Sequence, residues 1–157
     1  MLRWATKLLA GTEVDDLDGG TDNTVGYRSL YTGPEPEIHT SASAKEEAAF
    51  LVQRVRELSA NTPAEEIAVV AKLKSRVREY AEILADAGIA CTVLDGDGAG
   101  PGVRVATMHR VKGLDFTHVF MQWPGADGAV KDPREVSLIY VAATRCRKTL
   151  TVLRGAQ

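Results

Sequence analysis

The sequence predicts an α/β fold, a mostly parallel sheet with helices on both faces. Three observations carry that prediction. The run IAVVAK at 67–72 is short, apolar and β-branched without alternation, as in a strand buried on both sides. Apolar residues recur at helical spacing both before and after it. Strand-like and helix-like runs then alternate toward the C-terminus, the order of a parallel sheet with crossover helices.

The elements follow in chain order. Residues 1–10 read as a short amphipathic helix closed by Gly11. The stretch GTEVDDLDGGTDNT, 11–24, has no periodicity and three glycines, so a loop is expected. Residues 36–40 fit a short strand. Ser43 followed by Glu46 and Glu47 resembles a capped helix start, and Ala49, Phe50, Val52, Val55 and Leu58 continue the helix to about Ala60. Thr62-Pro63-Ala64-Glu65-Glu66 is a turn into the strand at 67–72. Val77, Tyr80, Ala81, Leu84 and Ala87 share one face of a helix over 75–87, stopped by Gly88. Strands are expected at 89–94, 103–108 and 118–123, with a glycine loop at 95–102. A helix at 134–146 and a last strand at 149–153 complete the order. No internal repeat is visible.

Composition narrows the classes. A chain of 157 residues fits one domain, and 45% hydrophobic residues suffice for a core. No apolar run reaches membrane length, and MLRWATKLLAG lacks the apolar core and cleavage site of a signal peptide, so a cytoplasmic location is expected. Two cysteines without a CxxC give neither zinc nor disulfide framework. The net charge of −2 excludes a strongly basic nucleic-acid binder. Its distribution is uneven, however. Acids dominate up to residue 66, whereas from Arg104 onward nine cations face four acids, so a C-terminal surface that meets an anion is one reading and ordinary solvated charge the other.

Several candidate sites fall away. GDGAGPG at 96–102 precedes a strand, whereas a phosphate cradle needs a helix opening after its glycines. No GxxxxGK[ST] occurs, and no apolar strand ends in paired carboxylates for Mg²⁺. His39, His109 and His118 lack metal-ligand spacing with carboxylates or cysteines. No Ser or Cys has a nucleophile setting.

Two segments remain. VATMHRVKGLDF, 105–116, leaves the end of a strand, where open parallel sheets bind ligands. Thr107, His109 and backbone amides can donate to phosphate oxygens, Lys112 adds charge, Gly113 permits close approach, and Asp115 can accept from a sugar hydroxyl. A plain capped turn is the alternative. EVSLIYVAATRCRKTLTV, 135–152, has an apolar helical face of Val136, Ile139, Tyr140 and Ala143, then a cluster of Arg145, Arg147 and Lys148. Cations at a helix C-terminus also stabilise without function.

Together the two segments are more specific. VRVATMHRVKGLDFTHVFM closely resembles motif V of UvrD/Rep-like superfamily 1 DNA helicases, roughly T-x-H-x-x-K-G-L-E-F. SLIYVAATRCRKTLTV resembles their motif VI, roughly L-x-Y-V-A-x-T-R-A-x-x-x-L. Order and spacing agree, and the likeness extends over residues 44–153. In that family both motifs lie in the second RecA-like motor domain, so the resemblance implies a three-layer RecA-like fold. It also implies that Thr107 and His109 touch single-stranded DNA and that Gly113 sits near the nucleotide. Asp115 would contact the nucleotide sugar, in place of the family's longer Glu. Arg145 would reach the γ-phosphate, its planar fork suited to charge that develops in phosphoryl transfer. Tyr140 and Thr144 would support the motif VI helix. GYRS at 26–29 resembles motif IV but leads into LYTGPEPE, which cannot form the helix that motif IV enters, so Arg28 is not assigned to phosphate.

The phosphate loop and the Mg²⁺ carboxylates are absent, and about eight residues, 95–102, stand where many relatives insert an accessory domain. The expected division is 1–42, an N-terminal helix and irregular extension following a missing motif IV, and 43–157, the RecA-like domain carrying motifs V and VI. The resemblance implies ATP and Mg²⁺ as cofactors of the intact parent, with none held by this chain alone. Its expected partners are single-stranded DNA and an N-terminal RecA-like domain, with no membrane. A stand-alone, helicase-derived interaction module without motor activity is the alternative.

Overall fold

The computed structural model describes residues 14–16, 20–22, 34–95, 99–124, 130 and 132–155. The helix expected at 1–10 and the GYRS stretch with Arg28 lie outside them. Eight strands are described: β1 (Val14–Asp16), β2 (Gly20–Asp22), β3 (Glu37–Thr40), β4 (Ile67–Ala71), β5 (Cys91–Val93), β6 (Val103–Thr107), β7 (Phe116–Gln122) and β8 (Cys146–Arg154). Three helices accompany them: α1 (Ala44–Ser59), α2 (Lys74–Asp86) and α3 (Pro133–Thr144).

Strands β3 to β8 form one six-stranded sheet in the order β3-β8-β7-β4-β6-β5, with every neighbouring pair parallel. The central strand β4 is buried along its whole length, as its unbroken apolar run requires. Its side chains alternate between two cores. Ile67, Val69 and Ala71 pack with Leu51 and Val55 of α1 and with Val77, Tyr80 and Leu84 of α2. Ala68 and Val70 face the opposite side, with Leu138, Ile139, Ala142 and Ala143 of α3. The result is the three-layer α/β architecture that the sequence predicts. Each fully buried Leu, Ile or Val contributes roughly 1.5–3 kcal/mol of transfer free energy.

Local chemistry fixes the helix ends. Ser43 Oγ accepts from the Glu46 amide at 3.1 Å, and Glu46 Oε2 accepts from the Ala42 amide at 2.8 Å. This reciprocal cap starts α1 where the sequence places it. Helix α2 stops at Gly88, whose φ of +72° disfavours a side chain, while the Ile89 amide donates to Leu84 O at 2.9 Å. Asp132 caps α3, with Pro133 in the first turn.

One expectation needs correction. Residues 11–24 contain a strand pair, since β1 and β2 run antiparallel with Val14 opposite Asp22 and Asp16 opposite Gly20. A ladder of three residues a side is held by backbone groups, so it needs no apolar periodicity in the sequence.

Candidate functional site

Functional chemistry in this sheet depends on which edge a residue occupies. Thr107 closes β6 at the C-terminal edge, level with Ala71 of β4. The Met108 amide donates to Ala71 O at 3.0 Å, which extends the ladder one residue past the strand. His109 and Arg110 then stand exposed in the turn. Thr107 lines a cleft enclosing about 380 Å³ of space open to solvent. Lys74 and Arg78 of α2, Arg110, and Asp95 at the end of β5 supply the charged walls of that cleft.

The charge pattern of α2 is unusual. Its first turn holds no acid and no side chain caps it, whereas Lys74 starts it. A cation there opposes the helix dipole at a cost of about 0.3–1 kcal/mol. Arg78, four residues on, adds a like charge on the same face, costing about 0.2–0.5 kcal/mol more. Neither Lys74 nor Arg78 has an ion-pair partner among the described residues. Arg76, between them, points elsewhere and binds Glu47 at 2.8 Å and Glu79 at 2.6 Å. The sequence carried a signal for this cleft, KLKSRVR at a helix start without acids, which pattern reading passed over.

From Thr107 the chain descends to the opposite edge. Met108 and Val111 are buried in the core beneath α3, whereas Lys112 to Asp115 are exposed. Two turn bonds shape the descent, Arg110 amide to Thr107 O and Leu114 amide to Val111 O, each 3.0 Å. Gly113 has φ +79° with open space around it, so the turn itself, rather than a close neighbour, demands glycine. Register puts Thr107 level with Ala71 and Ile67 level with His118. The segment therefore spans about 13–20 Å along the strand direction, at about 3.3 Å per residue.

At the lower edge the segment meets Arg145. The Phe116 amide donates to Arg145 O at 2.9 Å, which ties the start of β7 to the end of α3. Arg145 is the C-cap of α3 and is half-buried. Its Nη2 donates to Thr144 Oγ1 at 3.4 Å, and its Nε is buried with no hydrogen-bond partner among the described residues. Thr144 in turn donates to Val141 O at 3.0 Å, so one hydroxyl orients both the helix end and the guanidinium. The structure thus brings Arg145 beside the strand that follows Asp115, with Gly113 on the approach. It sets Thr107 and His109 apart, at the other edge.

Other polar groups near Arg145 are engaged. Thr117 Oγ1 donates to Glu66, and Arg147 reaches Glu66 at 3.4 Å and Thr117 at 3.2 Å. His118 is buried between the hydroxyls of Thr62 and Thr149, and desolvation lowers its pKa. Burial pushes the Cys146 thiol up to about 11, out of the reactive range. Among the described residues no group of three or more His, Cys, Asp or Glu could hold a metal ion. No described helix is long and apolar enough to cross a membrane.

Comparison with known proteins agrees with this architecture. Residues 102–153 match the UvrD-like helicase C-terminal domain, a span that contains both candidate segments. Among curated proteins nothing matches. The C-terminal domain of a possible DNA helicase from Lactobacillus plantarum WCFS1 superposes with a TM-score of 0.68 at 18% identity, over 84% of this chain and 89% of that one. A chain from the structure of the E. coli DEAD-box protein SrmB bound to regulator of ribonuclease activity A gives 0.53 at 18% identity, over 82% of this chain and 79% of that one. The Sulfolobus solfataricus SWI2/SNF2 ATPase core in complex with dsDNA gives 0.55 at 10% identity, over 99% of this chain and 30% of that one. At such identities the superpositions speak for the fold alone, a three-layer α/β domain, and the likeness to the UvrD-like helicase C-terminal domain is a similarity of residues 102–153, about a third of the chain.

Proposed function

We propose that this domain is the second motor half of an ATP-dependent helicase, with a nucleic-acid edge and a nucleotide edge. At the C-terminal edge Thr107 and His109 contact the backbone of single-stranded DNA. At the opposite edge Arg145 faces the γ-phosphate of ATP held by an N-terminal RecA-like domain, with Asp115 toward the sugar and Gly113 allowing close approach. The observation that carries this reading is the single segment 107–116. It starts in a basic cleft and ends bonded to Arg145 O at 2.9 Å.

Arg145 fits such a role on its own geometry. A buried Nε without a partner is costly, and a phosphate oxygen would satisfy it. The guanidinium would add positive charge where negative charge builds during phosphoryl transfer. On this reading the Mg²⁺ ligands belong to the other domain.

The test pairs the chain with an N-terminal RecA-like domain carrying a phosphate loop. Alone, the chain should not hydrolyse ATP. Joined, it should hydrolyse ATP with stimulation by single-stranded DNA, and Thr107→Ala with His109→Ala should raise the DNA concentration needed for half-maximal stimulation. Turnover by the chain alone would sink the half-motor assignment. Salt-insensitive, submicromolar DNA binding without any restored hydrolysis would point instead to an interaction module.

A further inference from the structure

We propose that the Asp95 carboxylate is a built-in competitor for a phosphodiester in the basic cleft beside Thr107. The inference rests on the reading of the C-terminal edge as the nucleic-acid side, and it assigns a residue outside both helicase segments.

Lys74 and Arg78 come from the start of α2, Arg110 from the turn after β6, and Asp95 from the end of β5. Three cations therefore converge on one cleft against one acid. Asp95 lies 3.7 Å from Arg110, beyond hydrogen-bond distance, with the two side chains 62% and 53% exposed. So long and exposed a pair is held weakly and yields readily to another anion. The remaining cations, Lys74 and Arg78, have no partner of their own among the described residues, so they attract that anion without first losing a contact. Val77, Val93 and Ala106 contribute apolar wall beneath the charges, which suits the sugar side of a nucleotide unit better than a hydrated inorganic ion.

Asp95 is therefore a filter. It keeps the cleft from presenting a bare cationic surface while unloaded, and it sets a threshold that an entering phosphate must exceed. Asp95 lies two residues past the end of β5, and described residues near it are held in place. Gly102 has φ +90°, and a Cβ there would lie 2.1 Å from Ala90 O. The Gly102 amide donates to Glu65 at 3.0 Å, and Thr92 Oγ1 donates to Pro101 O at 2.8 Å.

The test is fluorescence anisotropy of a dye-labelled thymidylate oligonucleotide titrated with the whole chain at low salt. Asp95→Asn should tighten binding roughly 3–10-fold, because a like charge is removed from the phosphate seat. Lys74→Gln and Arg78→Gln should each flatten the dependence of log K on log salt by about 0.7. Circular dichroism of each variant should show an unchanged melt. If Asp95→Asn binds no tighter while Thr107→Ala and His109→Ala bind more weakly, the nucleic-acid reading survives and the competitor is refuted. Failure of every variant, or of the wild type at the highest concentration, to show any binding change overturns both. A parallel titration with inorganic phosphate separates the sources. A gain for Asp95→Asn there, without one for the oligonucleotide, would make the cleft a free-anion site and refute the phosphodiester assignment.

Discussion

Replacing Arg145 by alanine separates structure from chemistry. The hydrogen bond lost, to Thr144 Oγ1, is 3.4 Å long and lies at the outer limit of useful geometry, so it is worth less than about 1 kcal/mol. The half-buried stem forfeits about 0.8 kcal/mol for each methylene no longer covered. Against that, removal of a buried Nε without a partner returns a desolvation cost of about 1 kcal/mol or more. The terms nearly cancel, so stability should change by no more than about 1 kcal/mol, a shift of about 2–4 °C in a domain of this size. The backbone bond from Phe116 to Arg145 O does not depend on the side chain and should survive. In the protein joined to its ATP-binding domain, the same change should slow hydrolysis by about 10³–10⁵ while ATP still binds. Arg145→Lys should recover little, since an ammonium lacks the planar fork. Thermal melts by circular dichroism and single-turnover hydrolysis are the paired assays. A melt lowered by more than about 8 °C, or normal turnover in the joined protein, would refute the reasoning.

Other outcomes follow from the same structure. Gly102→Ala should cost about 3 kcal/mol or more, read from urea unfolding, because the new Cβ would lie 2.1 Å from Ala90 O at a φ of +90°. Glu47→Ala should cost about 1–3 kcal/mol, since it leaves the buried Tyr80 hydroxyl, 2.6 Å from Glu47 Oε1, without its acceptor while Arg76 keeps Glu79 at 2.6 Å; Tyr80→Phe should cost less. His118 binds its proton less readily folded than unfolded because of burial, so the unfolded chain gains protons first as pH falls. Its contribution is complete above the unfolded pKa near 6.5 and should be lost as pH falls through the lower folded value, a decline that His118→Gln should blunt in thermal melts. Cys146, with its thiol raised to about 11, should react with iodoacetamide at pH 8 far more slowly than the unfolded chain.

Much of the fold was legible because local chemistry and tertiary role coincide. IAVVAK has the composition of a doubly buried strand and is one; Ser43 and Gly88 sit at real helix ends. Boundaries moved where the signal came from pairing. Strand β7 starts at Phe116, two residues before the expected run, because Phe116 pairs with Cys146 through an irregularity that ends at His118. Likewise β8 starts at Cys146, within the expected helix, since Arg145 already closes α3. The β1–β2 pair was invisible because backbone bonds alone define it. Motif spacing announced Thr107, His109, Gly113, Asp115 and Arg145 as candidates, but not that they divide between two edges; only strand register tells that. The cleft of Lys74, Arg78, Arg110 and Asp95 was harder still. Its residues come from three separated stretches, and each reads alone as an ordinary solvated charge.

If the C-terminal edge meets DNA as proposed, that division between edges accounts for how a chain of net charge −2 would serve a polyanion. Net charge governs long-range attraction, and beyond about 10 Å salt screens it. Local charge then decides, and the C-terminal edge by β5 and β6 gathers three cations around one acid. Several acids are paired: Glu47 is buried with Tyr80 and Arg76, Glu66 is bound by Thr117 and Arg147 at the lower edge, and Glu135 holds Lys72 by the start of α3. Each is neutralised by a partner, so none projects a free field across the cleft. The segment 107–116 then gains a physical reason for its length. It must be rooted in the core, which Met108 and Val111 provide, or a push at one end would dissipate as loop motion. It also ends joined to the close of α3, through the Phe116 bond to Arg145 O at 2.9 Å. On the proposed reading, a path rooted in the core from the basic cleft to Arg145 would make DNA occupancy and nucleotide contact depend on one another.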